Sequence, residues 1–490
     1  MVESGDKTAV VDSIDDVTVI LAKKAFAAYQ KALPPEVARS VRLRILDVLG
    51  LSVAAQDLPT SQMILSYAEA QGGAGKSTAI GSNTPLPASL AALVNGVLAH
   101  SLDFDDTHLP SVLHPSASVV PVGLAVAEMC GSSGEELTAA ISVGLEITVR
   151  LGMAGYDHEL GNSVFFEHGQ HATSICGAVG GAATAALLMG LGEDGVRNAL
   201  GVAASMAAGI IEANRTGGTV KRLHCGWAAH SAVTAAELVA AGFTGPPTVL
   251  EGRFGFFEAF LHGQADLSGI TAGFGDVWEV PGIFFKPYPA NHFTHAAIDA
   301  GLKLRKSGID LAQISSIRVG VPAAVIRTIG EPIEVKRAPE TGYQAQFSGP
   351  YAIVAGLMGG AGLGVALSDF TDALATDPER RRLMALVDIV SDAACDAIFP
   401  LQFPARVTVK YHDGTTFEEQ VLVNRGGSEW PLSDVELATK FHANASGRLH
   451  DDLSVALQTA VLGLGRASHI ADVLEPLKNL QPMKEPNVTV

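Results

Sequence analysis

Residues 172–191 run for twenty positions without a charged side chain, and so long an apolar stretch has two physical outlets. It either crosses a bilayer, which takes about 20 apolar residues, or it is a helix buried on every side within a large protein. Its make-up points to the second. It is rich in glycine and alanine, lacks the basic and aromatic anchors that flank membrane spans, and is bounded by His168 and His171 on one side and Glu193 and Asp194 on the other. A helix buried all round needs a shell of other helices, so this feature predicts a mainly α protein with no membrane partner.

The rest of the chain supplies such a shell. Apolar residues recur at helical spacing over 41–54, 86–102, 119–129 and 137–151. Glycine and proline punctuate them at 131–134, 190–195 and 242–247, and Pro35 suits the first turn of a helix. After residue 272 the pattern changes. Residues 317–321 alternate as a strand does, and 407–411 faces 417–423 across His412-Asp413-Gly414-Thr415, an Asp-Gly hairpin signal. A helix is expected over 347–358, and Ser433 with Glu436 has the form of a capping box opening a last helical segment. The 490 residues thus divide into a large all-helical domain (1–272), a smaller α+β lid domain (273–432), and C-terminal helices (433–490) that pack back on the first domain.

With 33 basic against 51 acidic residues, the net charge of −18 excludes a nucleic-acid binder and a peripheral membrane protein, both of which need basic surfaces. Cys130, Cys176, Cys225 and Cys395 show no CxxC spacing, and the N-terminus lacks a basic stretch leading into an apolar run; a reducing cytoplasmic location is expected. Gly75-Lys76-Ser77-Thr78 imitates the end of a phosphate loop, but the required earlier glycine is Ala70, and a strand-like 78–81 follows where a helix should. Gly360, Gly362 and Gly364 lack the spacing of a dinucleotide fingerprint. His168/His171 and His292/His295 have i, i+3 spacing that could serve a metal, yet there is no HExxH pattern and no clustered thiol. No metal and no cofactor are expected.

Acid, base and charge gather in three places. Residues 100–116 hold His100, Asp103, Asp105, Asp106, Thr107, His108 and His114 between two apolar helices, where Asp106 or Ser116 could equally act as caps. Residues 165–173 place Glu167, His168 and His171 at the start of the buried helix, with Thr173 a possible cap. Lys221, after the Gly217-Gly218 turn and near His224, and Lys286, between aromatics and prolines, stand apart from any mixed charged face and are suited to clamp carboxylates.

These residues carry a resemblance. The run from Gly81 through Ala99-His100-Ser101-Leu102-Asp103-Phe104-Asp105-Asp106-Thr107-His108 to His114-Pro115-Ser116, then Gly217-Gly218-Thr219-Val220-Lys221 with His224 and Gly226, then Phe285-Lys286-Pro287-Tyr288-Pro289 with Thr294-His295, resembles the MmgE/PrpD family in order, over roughly residues 20–470. The resemblance implies a helical domain with an α+β lid, a homodimer, and a reaction on a small polycarboxylate: dehydration of 2-methylcitrate, decarboxylation of cis-aconitate or epimerisation of iminodisuccinate. It also implies that Asp103, Thr107, His114, His171, Lys221 and Lys286 form the active site.

All three reactions move a proton at a carbon beside a carboxylate, which is feasible when cations neutralise the charge that develops there. Lys221 and Lys286 are expected to hold substrate carboxylates, with Thr107, His108 and His224 as further substrate contacts. His114 and His171 would exchange protons, and Asp103 would orient a histidine or fix its tautomer. A metal-independent lyase is preferred. The alternatives are the epimerase and a non-catalytic polycarboxylate binder, the second of which has no use for two histidines at helix entrances.

Overall fold

The computed structural model describes residues 16–481. Its first core is helical. The helix Ala172–Leu188 is buried at every residue and is wrapped by Ser116–Cys130, Gly134–Ala154, Gly192–Met206 and Val220–Ala240. Small residues permit the wrapping. A Cβ on Gly180 would stand 2.0 Å from Thr148 Oγ1, so any side chain there would force the two helices apart. Among the described residues one helix, Gly134–Ala154, is long and apolar enough to cross a membrane, and 94% of its apolar window is buried inside the protein. A second close crossing, of Ala88–His100 on Val220–Ala240, is set by Gly96, whose Cβ would fall 2.8 Å from Gly226 Cα. That crossing brings His100, at the end of one helix, beside Cys225 of the other.

The second core is a four-stranded sheet in the order Val387–Ser391, Ile314–Val321, Ala405–Tyr411, Thr416–Val421, the first pair parallel and the others antiparallel. The hairpin closes with Lys410 opposite Thr416. Asp413 caps the turn by accepting from Thr415 N at 2.8 Å, and Gly414 takes φ +90°, a value that favours glycine. Ile317, Val319, Val407 and Val409 are buried in this core with the helices His295–Lys306 and Gly349–Met358. The protein is mainly α with a smaller α+β domain.

Two local features differ from the sequence reading and a third agrees with it. Phe274, Val280 and Ile283 belong to the helical core, and the second core begins at Tyr288. The cause is two buried arginines of the helical domain: Arg150 donates to the carbonyls of Gly269, Ala272 and Val277, and Arg44 to those of Val280 and Ile283, drawing the segment down onto them. Residues 78–81 form a turn beyond the single Ser77–Leu86 bridge, because Thr78 is held by Glu128. The capping box at Ser433–Glu436 does open a helix, Asp434–Ala445, which with Asp451–Leu462 sends Phe441, Leu457 and Val461 into the first core.

Candidate active site

A cavity of about 550 Å³ is lined by residues of both cores, and Asp103, Thr107, His114, His171, Lys221 and Lys286 share it. The loop following Ala88–His100 builds one wall. Thr107 exchanges two backbone hydrogen bonds with Phe284, at 2.9 and 2.7 Å, and this pairing sets Lys286 against Asp103. Lys286 Nζ donates to the Asp103 carbonyl at 3.0 Å and to its Oδ1 at 3.3 Å, while Lys221 Nζ lies 3.8 Å from the same carboxylate. Asp103 has φ +51°, uncommon outside glycine though tolerated by Asp; Lys286 grips both its main chain and its side chain. From beneath, Arg44 pairs with Asp106 at 2.9 Å. Lys440 of the C-terminal helices reaches Asp47 at 2.7 Å and the Phe104 carbonyl at 3.0 Å.

The histidines form a row. Ring centroids run from His114 to His100 at 5.6 Å, from His100 to His171 at 5.6 Å, and from His171 to His224 at 4.9 Å. His114 Nδ1 lies 2.6 Å from the Asp106 carbonyl. A carbonyl only accepts, so Nδ1 carries the proton and Nε2 is left as a free acceptor. The His114 backbone N–H donates to Thr173 Oγ1 at 3.1 Å, so Thr173 anchors this histidine and does not cap its own helix. His171 Nδ1 is 3.1 Å from His224 Nδ1, so one of the two rings donates to the other. His100, fully enclosed, pairs through Nδ1 with Asp105 at 2.7 Å.

Burial opposes charge throughout the site, and partners decide where charge survives. Lys286 and Lys221 hold the Asp103 carboxyl below the usual range in spite of its burial. Burial would likewise lower Lys221, but Asp103 raises it. Burial pushes His114 down to about 4, with Lys286 and His100 adding to the effect against the pull of Asp105, and takes His171 well below 6.5. His100 goes the other way: against its burial, Cys225 and Asp105 raise it to about 10. The site therefore sets Lys221 and Lys286 around one carboxylate, beside two imidazoles, His114 and His171, that are neutral at neutral pH.

A stability consequence follows. Burial takes His108 to about 3 and His295 to about 3, as it takes His114 to about 4, all below the ordinary 6.5. Between these values the unfolded chain binds protons that the folded chain refuses. The stability present above pH 6.5 is thus lost as pH falls toward 4. His100 has the opposite sign, its contribution being complete below 6.5 and lost toward 10. With His171, His224 and His292 also lowered by burial, these groups outweigh His100 and the Asp299 carboxyl, which burial raises to about 6 with the opposite sign, so thermal melts followed by circular dichroism should show the melting temperature falling from pH 7 to 4.5. A flat profile would refute this account.

Several expectations are corrected by the geometry. Asp103 orients no histidine; it pairs with the two lysines, and the tautomer of His114 is fixed by the Asp106 carbonyl. His108 is turned away from the cavity: its backbone pairs with Leu113, its Nδ1 meets Ser111 Oγ at 2.8 Å, and its Nε2 faces Glu279, so it braces the loop and does not line the cavity. His224 stands behind His171 and does not line the cavity. His168 turns to the Phe260 carbonyl and His295 to the Ala290 carbonyl, so neither i, i+3 pair shares a centre. Among the described residues no group of three or more His, Cys, Asp or Glu side chains is arranged to hold a metal ion. Sequence reasoning missed the pairing of His100 with Asp105, the supports Arg44 and Lys440, and His292 on the opposite wall of the cavity.

A helical domain and a smaller α+β domain meeting at a cavity that holds two lysines, a shared aspartate and paired histidines define the class of protein. Residues 19–268 match the MmgE/PrpD N-terminal domain and residues 288–464 the MmgE/PrpD C-terminal domain, and the chain belongs to the MmgE/PrpD family. Among its relatives, the cis-aconitate decarboxylase of Homo sapiens is 30% identical over 432 residues, covering 87% of each chain. That of Mus musculus is 30% identical over 431 residues, covering 86% of this chain and 85% of its own. The cis-aconitate decarboxylase of Aspergillus terreus is 26% identical over 473 residues, covering 93% and 94%.

Proposed function

We propose that this chain is a lyase that removes carbon dioxide from a small unsaturated polycarboxylate of the cis-aconitate kind. The observation that carries the reading is the meeting of Lys221, Lys286, His114 and His171 in one cavity; the decarboxylase relatives support it. Lys221 and Lys286 bind two carboxylates of the substrate. The carboxyl group on the saturated carbon leaves as carbon dioxide, its C–C electron pair becomes a new double bond, and the displaced π pair takes a proton at the far carbon. His171, having taken a proton from solvent, delivers it from Nε2 and returns to the neutral imidazole, its Nδ1–H donating to His224; the leaving carboxyl group enters with its own proton, which His114 Nε2 accepts as carbon dioxide departs and then returns to solvent. Neutral imidazoles suit this role, since a site already crowded with cations makes a further proton costly to hold and easy to transfer.

The test is incubation with cis-aconitate, citrate, 2-methylcitrate and iminodisuccinate in deuterated water, followed by NMR with and without EDTA. Carbon dioxide loss from cis-aconitate with one deuterium gained is expected, unaffected by EDTA. Dehydration or exchange without net change would replace the decarboxylase reading, and loss of turnover restored by a divalent cation would end the metal-independent one.

Lys221→Ala is expected to cost roughly ten- to a hundredfold in kcat/KM, the worth of one charged hydrogen bond. Its side chain is 22% exposed, so the melting temperature should hardly move. Wild-type kinetics would remove Lys221 from the site. We also propose a homodimer. Exposed Met63 and Tyr67 on Pro59–Gln71 and Trp227 on Val220–Ala240 supply apolar surface on neighbouring helices, joined by Arg222 to Thr60. A monomer mass by light scattering would overturn it.

A further inference from the structure

We propose that His292 is a specificity residue of this cavity, the contact by which the α+β domain recognises a third carboxylate of the substrate. The inference rests on the polycarboxylate reading above. His292 opens a short turn, His292–Thr294, just before the first long helix of that domain, and it lines the cavity from the wall that the helical domain does not build. It is 6% exposed, and neither ring nitrogen has a hydrogen-bond partner. Buried polar atoms are nearly always paired, and an imidazole with both nitrogens unpaired loses its hydration without return.

Its orientation does not depend on hydrogen bonds. Phe284 and Phe403 meet the ring edge-to-face at 5.5 and 5.2 Å, and the tilted His295 ring lies at 4.8 Å, so packing fixes the ring without using either nitrogen. Burial, then His295, Lys286 and His114, keep it well below 6.5. It is therefore a neutral group with one N–H to donate, on the cavity wall that also holds Lys286 and His114. Two carboxylates are matched by Lys221 and Lys286. A third, on the opposite side of the same small molecule, is matched by an uncharged N–H, which binds an anion without adding another cation to the site.

The experiment compares binding of tricarballylate, with three carboxylates, and glutarate, with two, by titration calorimetry. The proteins are the full-length wild type, His292→Phe, which suits the aromatic surroundings, and His292→Gln, which keeps an N–H. Wild type should prefer tricarballylate. His292→Phe should weaken it by roughly ten- to a hundredfold and leave glutarate within about twofold, and His292→Gln should recover part of the loss. Equal weakening of both ligands, or none, in a variant that melts like wild type would overturn the assignment; if His292→Phe does not fold, the same comparison is read on His292→Leu, which likewise lacks the N–H. Failure of the wild type to bind either probe would overturn the polycarboxylate reading itself, and this assignment with it.

Discussion

Replacing His114 by asparagine should lower kcat/KM by roughly a hundred- to ten-thousandfold, the usual contribution of a positioned acid or base, with the fold intact. The fold survives because the features that hold His114 are not lost. Its backbone N–H stays on Thr173 Oγ1, and an asparagine amide can still donate toward the Asp106 carbonyl that Nδ1 meets at 2.6 Å. What disappears is the Nε2 lone pair facing the cavity. Steady-state kinetics on the substrate found by NMR, together with a melting curve, checks both halves. Near-wild-type turnover would show that His114 only shapes the cavity, and the proton chemistry would then belong to His171 alone.

Lys286→Met should be damaging in two ways. Lys286 is 1% exposed and Asp103 7%, so the variant leaves a buried carboxylate with Lys221, 3.8 Å away, as its remaining close cation. Breaking a buried pair by removing one partner costs about 3–5 kcal/mol, measurable by urea denaturation, and kcat/KM should fall at least as far as in Lys221→Ala. The double variant Lys286→Met/Asp103→Asn separates the two effects. It removes the orphaned charge and should regain most of the stability while remaining inactive. A double variant as unstable as the single one would mean that Lys286 acts through packing and not through the pair.

The helical shell and the hairpin of the α+β domain were legible because their signals are contiguous in sequence: the charge-free run 172–191, the Asp413-Gly414 turn and the Ser433–Glu436 box. The three clusters that supply the cavity residues were legible for a related reason, since charged and imidazole side chains stand out in a chain only 17% charged; the choice of residues within them came from the family resemblance. Orientation was not legible. His108 and His114 lie in the same loop, and nothing in their spacing says that the Leu113 bridge turns the first away and the Asp106 carbonyl turns the second inward. Asp103 was assigned to a histidine because imidazoles surround it in sequence, whereas the Thr107–Phe284 pairing brings it a lysine from 183 positions away. Arg44 and Lys440 lie outside the three clusters, in helical segments with no marker of their role, and only tertiary packing reveals them as buried.

Lys440 also bears on how the protein is made. It holds the Phe104 carbonyl across 336 positions, whereas the cavity-lining residues reach no further along the chain than Phe403. At about 5–20 residues per second, the ribosome delivers this clamp roughly 20 to 70 seconds after the loop it secures. A nascent chain therefore contains the lining residues of its cavity well before the loop that carries Asp103 and His114 is fastened, and competence arrives only with the last helices. A polypeptide ending shortly before residue 440 would keep those residues and still lack the fastening, and is expected to show no turnover when assayed beside the full chain.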